Sequence, residues 1–409
     1  MERKVSTLYL KPGMYVSNLD RPWVDTPFLI QGFHINDQEQ IQTLEKYCDY
    51  VIIDTSQGIE AEQYLGEEPK FKTNRYLETF LTNNDKKAVE YENTRTSIEE
   101  MPEAKAALED ASLKVAGIMD DVKTGKNLNI DAVRGAVEPI LESMIRNSES
   151  LMWLKQLRKK DNYTYSHSVD NCALSIAFGR HMGLPKSDIR TLSIGMLLMD
   201  IGKMNVPEEI LNKTETLTDD EFKEVKKHVN YGVEKLRSSE GISEDIINIA
   251  LTHHERFDGS GYPGGYIGTE TPVFGRIAAI IDCYDAMTSK RPYGEPMSPH
   301  NALQEIYNWR DKYFQAELVE QFLQCIGVFP TGSLIEMTTG EVGVVLSQNK
   351  TRRLLPKVMM LMDSEKKFYK DFKIVDLSHY TKTSDGEAVS IMRGLDPGSY
   401  GIDPSEFYL

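Results

Sequence analysis

The sequence predicts a multidomain α+β protein: a small N-terminal α/β domain, an all-helical central domain and a small C-terminal β subdomain. Three observations carry this. Residues 1–60 mix short β-branched runs with one helical pattern. Residues 131–328 show apolar periodicity at helical spacing, punctuated by turn signals such as Gly183-Leu184-Pro185 and Val206-Pro207. Residues 329–409 return to period-two alternation around a Thr-Gly turn. Between the first two, residues 61–130 read as a polar linker followed by an amphipathic helix.

In the first domain, Val5 to Leu10 has strand character and Lys11-Pro12-Gly13 turns the chain. Met14-Tyr15-Val16, Phe28-Leu29-Ile30 and Val51-Ile52-Ile53 are further strand candidates, and Asn36 is placed to cap a helix over Asp37 to Tyr47. From Pro102 the pattern is helical, with Leu108, Ala111, Val115, Ile118 and Val122 on one stripe. A second helix from Asn129 turns Val133, Val137, Ile140, Leu141 and Met144 inward. This pair serves either as core of the next domain or as a dimerising surface. Thr218-Asp219-Asp220-Glu221 reads as a capping box opening the helix that contains His228. Ile335 to Thr338 and Val342 to Leu346 form a hairpin pattern, and Val358 to Met362 and Phe372 to Val375 are later strands.

Composition bounds the function. The 409 residues are 40% hydrophobic and 27% charged, as in ordinary globular chains. A net charge of -16 disfavours a nucleic acid polymer as partner. Cys48, Cys172, Cys283 and Cys325 are scattered, with no Cys-x-x-Cys pair, which suits a reducing cytoplasm. The N-terminus lacks a signal-peptide core, and no stretch approaches the roughly 18 apolar residues of a membrane span. The chain is therefore expected to be cytoplasmic.

The most informative stretch is His253-His254-Glu255-Arg256-Phe257-Asp258-Gly259-Ser260-Gly261-Tyr262-Pro263. Adjacent imidazoles and a carboxylate suit a divalent metal, and the glycines permit a tight loop. The chain has only eight histidines. Helical segments elsewhere offer His167, Asp200, His228, and the i, i+3 pair Asp282 and Asp285 on one helix face. All adjoin apolar runs, so they point toward a core, where buried carboxylates need partners and a metal is a natural one.

On these stretches, together with Asp200-Ile201-Gly202-Lys203, Pro207 to Leu217, His228-x-x-x-Gly232 and Arg276 to Tyr293, residues 150–328 resemble an HD-GYP domain of the HD phosphohydrolase superfamily. Residues 1–130 are similar to an uncharacterised domain often found ahead of bacterial HD-GYP domains, through Leu10 to Val16. The resemblance implies hydrolysis of cyclic di-GMP to pGpG or GMP on a bi- or trinuclear iron or manganese centre. It implies that His167, Asp200 and Asp282 serve one metal and that Asp200 bridges to a second held by His228, His253 and His254. By the same resemblance, Asp200 and Lys203 are expected to carry the catalytic roles, Lys203 and Arg291 to face the phosphates, and Gly261, Tyr262, Pro263 and Asp285 to form the substrate wall. A metal-bound hydroxide is nucleophilic at neutral pH and can attack the phosphodiester in line.

Three departures from the family pattern stand out. Met199 occupies the place of a histidine beside Asp200, Tyr163 that of a glutamate in trinuclear members, and Gly294 that of a lysine after Arg291-Pro292-Tyr293. Tyr163 implies at most two metals, iron or manganese, Met199 implies that one is weakly held, and Gly294 removes one phosphate contact. The alternatives are an impaired cyclic di-GMP receptor and a phosphohydrolase for another cyclic dinucleotide. The N-terminal domain is expected to mediate homodimerisation or bind a signalling partner.

Overall fold

The computed structural model describes residues 2–7, 10, 12–23, 26–28, 32–48, 50–54, 57, 88–157, 163–289, 296–349, 352, 354–380, 382 and 388–402. The chain divides into two compact units, residues 1–72 and 73–409.

In the first unit, strands β1 (Glu2–Ser6), β2 (Tyr15–Leu19), β3 (Phe33–His34) and β4 (Tyr50–Asp54) form an antiparallel sheet in the order β1-β4-β2-β3. Helix α1 (Gln38–Tyr47) supplies Ile41 and Leu44 to a core with Met14, Val16, Val51 and Ile53. β1 begins and ends earlier than the Val5 to Leu10 expectation. The cap of α1 is Asp37 rather than Asn36, because the Asp37 carboxylate accepts from the backbone N–H of Gln40 at 2.9 Å. Leu29 and Ile30 of the expected third strand, and residues 61–87 of the expected linker, lie outside the described residues.

The second unit opens with α2 (Ser97–Lys123) and α3 (Ile130–Arg146), packed against each other. Thr96 and Glu99 close a capping box, so α2 starts ahead of Pro102. Asn129 caps α3 as expected. Both apolar stripes are buried in the helical core. Then follow α4 (Ser148–Leu157), α5 (Tyr163–His181), α6 (Lys186–Leu198), a 3-10 turn (Ile201–Asn205), α7 (Glu208–Leu211), α8 (Asp219–Lys226), α9 (His228–Arg237), α10 (Glu244–Thr252), α11 (Val273–Thr288), α12 (Pro299–Asn308) and α13 (Ala316–Ile326). One apolar cluster runs through this bundle from Ala104 to Ile326. The Thr218–Glu221 capping box forms, but its helix α8 stops at Lys226, and His228 opens the next helix instead of lying within the first.

Strands β5 (Leu334–Met337), β6 (Val342–Ser347), β7 (Lys357–Met362), β8 (Phe368–Asp376) and β9 (Ile391–Leu395) make a second antiparallel sheet, ordered β8-β7-β6-β5-β9. The expected β5–β6 hairpin turns at Gly340, which has φ +82°. Trp153 of α4 joins Leu334, Val344, Met359 and Leu361 in a core shared with this sheet. Among the described residues, no helix is long and apolar enough to cross a membrane.

Two backbones meet closely where the 3-10 turn crosses α9. A Cβ on Gly202 would overlap the carbonyl oxygen of His228 and the backbone nitrogen of Gly232. Gly202→Ala is therefore expected to cost about 1–3 kcal/mol of stability by overpacking, because backbone cannot step aside as a side chain can. Denaturant unfolding of wild type and variant checks this; equal midpoints would show that the crossing has slack.

Candidate metal centre

Four helix ends and one helix face converge at the base of a cavity of about 670 Å³. His167 lies in the second turn of α5 and Asp200 just past the end of α6. His228 is the first residue of α9, His253 and His254 follow the last residue of α10, and Asp282 lies on α11. Placement at helix ends frees these side chains from the apolar stripes, while the flanking runs still bury them.

Two groupings result, sharing Asp200. One ligand atom from each of Asp200, His228, His253 and His254 falls within 4.8 Å of the others, and the same holds for His167, Asp200 and Asp282. In the first, His228 Nδ1 donates to the Val225 carbonyl at 2.7 Å and His253 Nδ1 to the Ala250 carbonyl at 2.8 Å. That fixes both tautomers and leaves both Nε2 atoms as bare acceptors. The two Nε2 atoms stand 3.5 Å apart and lie 3.4 and 3.7 Å from Asp200 Oδ1. Asp200 Oδ1 is buried and has no hydrogen-bond partner. Three acceptors aimed at one point repel each other unless a cation lies between them, so this donor set fits a divalent ion.

In the second grouping, His167 Nε2 is 3.0 Å from Asp282 Oδ1 and 3.7 Å from Asp200 Oδ2, while Asn171 Nδ2 also approaches it at 3.0 Å. Behind the ring, Nδ1 meets Asp285 Oδ2 at 2.6 Å. Asp285 is fully buried and also accepts from Lys155 Nζ at 2.8 Å. The structure thus places Asp285 behind His167 and not among the cavity-lining residues. Although both carboxylates share a face of α11, the one a turn further along reaches deeper into the bundle.

Electrostatics follow this layout. Burial alone would raise the Asp200 pKa, but the Lys203 ammonium, at 2.7 Å, holds it well below the usual carboxylate range. Burial lowers the His228 pKa to about 4, with Lys203 and His253 assisting against Asp200. Burial and His253 hold His254 well below its ordinary value. For His167, burial acts downward, but hydrogen bonds to Asp282 and Asp285 push the ring up to about 9.

Lys203 and Tyr262 line the cavity, and Tyr262 stacks on His254 with ring centroids 4.7 Å apart. Lys226 Nζ sits over both Phe222 and Tyr262, at 4.6 and 4.9 Å from the ring centroids. Gly261 and Pro263 belong to the loop below this wall. The Glu255 carboxylate accepts from the backbone N–H groups of Gly264 and Tyr266, at 2.6 and 3.2 Å, and so anchors that loop. A Cβ on Gly261 would press on the Glu255 and Arg256 backbone. Arg291, with Lys290, Tyr293 and Gly294, lies outside the described residues. Met199 is buried in the helical core and does not line the cavity. Sequence reading missed Met119 and Lys123 of α2, Phe222 of α8, and Lys155. The first two adjoin an apolar stripe that signalled only core, and Lys155 sits in no motif.

This geometry defines a helical bundle with a shared-carboxylate histidine centre, the class of HD-domain phosphohydrolases. The HD domain family matches residues 140–318, a domain of unknown function (DUF3391) matches residues 2–133, and a KOW domain associated with HD domain matches residues 334–384. The cyclic di-GMP phosphodiesterase PA4108 of Pseudomonas aeruginosa is 32% identical over 94% of this chain and 91% of its own. A cyclic di-GMP phosphodiesterase of Thermotoga maritima is 39% identical over 40% of this chain and 45% of its own. The 3'3'-cGAMP-specific phosphodiesterase 2 of Vibrio cholerae is 38% identical over 35% of this chain and 27% of its own. The chain belongs to the HD-GYP family of HD-domain proteins and is a phosphodiesterase.

A ligating imidazole must be neutral, so a cation at the His167 grouping has to displace the proton that the ring holds below about pH 9. Affinity there should rise with pH, about tenfold per unit between pH 7 and 9, with about one proton released per cation. His228, lowered to about 4, is already neutral in this window and adds no such dependence. Manganese(II) titrations of metal-stripped protein by calorimetry, in buffers of different ionisation enthalpy, measure both quantities. A pH-independent affinity would show that His167 is neutral before the ion arrives.

Proposed function

We propose that this chain is a metal-dependent phosphodiesterase that hydrolyses cyclic di-GMP to pGpG, GMP or both. The observation that carries the reading is the pair of acceptor groupings sharing Asp200 at the floor of the cavity. The substrate follows from the relatives' activities, above all that of the relative matched over nearly its whole length.

His167, Asp200 and Asp282 would hold one ion, and Asp200, His228, His253 and His254 the other. Iron(II) and manganese(II) suit such mixed imidazole and carboxylate sets. Bound there, divalent ions supply Lewis acidity and lower the pKa of water to near neutrality. The chain's own groups do the rest. Asp200 stays ionised through its contact with Lys203. Lys203, about one quarter exposed at the cavity, meets charge developing on a phosphoryl oxygen. Tyr262, held against His254, offers an aromatic wall, and Arg256 adds positive charge at the cavity surface of an acidic protein. Arg291 is assigned to a phosphate by its family motif alone. Asp285 is reassigned from the substrate wall to orienting His167, since it faces that ring.

The test is incubation of purified protein with manganese(II), or anaerobically with iron(II), and cyclic di-GMP, followed by chromatography for pGpG and GMP. Tight nucleotide binding without product would favour a receptor, the reading that Met199 and Gly294 support. Faster turnover of 3'3'-cGAMP would favour the third reading, which the Vibrio cholerae relative supports.

The two groupings differ in ligand number, three protein residues against four. A thioether is a poor ligand for manganese or iron(II), and Met199 faces the core. The ion at His167 is therefore the weaker one. Met199→His is expected to tighten that site and lower the manganese concentration needed for turnover. Metal titration of both proteins checks this; unmoved constants would make Met199 a packing residue only.

A further inference from the structure

Lys155 is neither a candidate ligand nor part of the cavity lining, yet it is only 7% exposed. Its Nζ donates to Asp285 Oδ1 at 2.8 Å, and Asp285 Oδ2 faces His167 Nδ1 at 2.6 Å. Ser289 Oγ donates to the same Oδ2 at 3.3 Å. A buried ion pair is weak evidence of stabilisation, because well-packed apolar residues can do as well. What the pair achieves here is geometric. Lys155 balances the Asp285 charge and pins one oxygen, so that the other points at Nδ1. Once neutral, a ring that donates from Nδ1 presents the Nε2 lone pair toward Asp282 and Asp200.

The lysine is itself held from two sides. Leu151 and Leu154, its neighbours on α4, pack into the helical core, and Trp153 packs into the core under the C-terminal sheet. The other half of the centre needs none of this, because His228 and His253 are oriented by the backbone carbonyls of Val225 and Ala250. The rings are thus oriented by different means, His167 by a side-chain relay and His228 and His253 by backbone.

We propose that Lys155 is a positioning residue for the His167 site: acting through Asp285, it sets that ring's orientation and so the affinity of that ion alone. This rests on the reading of His167, Asp200 and Asp282 as ion ligands.

The experiment is manganese(II) titration of the metal-stripped full chain, followed by electron paramagnetic resonance and calorimetry. Wild type should show two classes of site. Lys155→Met should weaken one class roughly 10–100-fold, the range seen when outer partners of metal ligands are removed, and leave the other unchanged. Asp285→Asn should produce the same selective loss. The double variant should bind no more weakly than Asp285→Asn alone, since the lysine acts through that carboxylate. It also removes both buried charges and keeps the test available if Lys155→Met alone fails to fold. Unchanged constants in Lys155→Met, equal loss at both sites in a folded variant, or a further loss in the double variant would each overturn the proposal. Fewer than two classes in wild type would refute the underlying ion assignment instead.

Discussion

The helical unit depends on one buried carboxylate facing two sets of ring nitrogens. Asp200 stays ionised in the bundle because Lys203 offsets its burial. Its Oδ1 nevertheless faces the Nε2 atoms of His228 and His253, which hydrogen bonds elsewhere have turned into acceptors. Acceptors crowded at one point are an electrostatic debt that a divalent cation settles. The close passage of the 3-10 turn past α9, possible only with Gly202, brings Asp200 and His228 together. Packing and site chemistry are here the same constraint.

Around this point the bundle is built asymmetrically. Backbone carbonyls at the ends of α8 and α10 orient the His228 and His253 rings, so that half is as rigid as the helices. The His167 half is oriented by Asp285, which lies in a buried relay with Lys155. Above the centre, the cavity draws its wall from segments distant in sequence. Met119 and Lys123 come from α2, Phe222 from α8, and Tyr262 from the loop that Glu255 anchors. An acidic chain thereby places Lys123, Lys203 and Arg256 along the wall of this cavity.

Much of this was legible in the sequence because it is local. Adjacent histidines before a Gly-rich loop, an aspartate at a helix end and a capping box each declare themselves within a few residues. Helical periodicity marked the buried stripes of α2 and α3, and period-two alternation marked the β5–β6 hairpin. The sequence by itself determined which residue types could meet at a metal and that helix ends would carry them. Only the tertiary structure decided how deep each one lies. Asp282 and Asp285 share a helix face, yet one reaches the cavity beside Asp200 and the other the back of His167, because depth depends on what packs opposite. Met199 adjoins Asp200 in sequence but turns into the core. Lys155 carries no signal, since a lysine on an amphipathic helix usually faces water. Its burial follows from Trp153 and Leu154 being claimed by two different cores, a long-range constraint that no local pattern records.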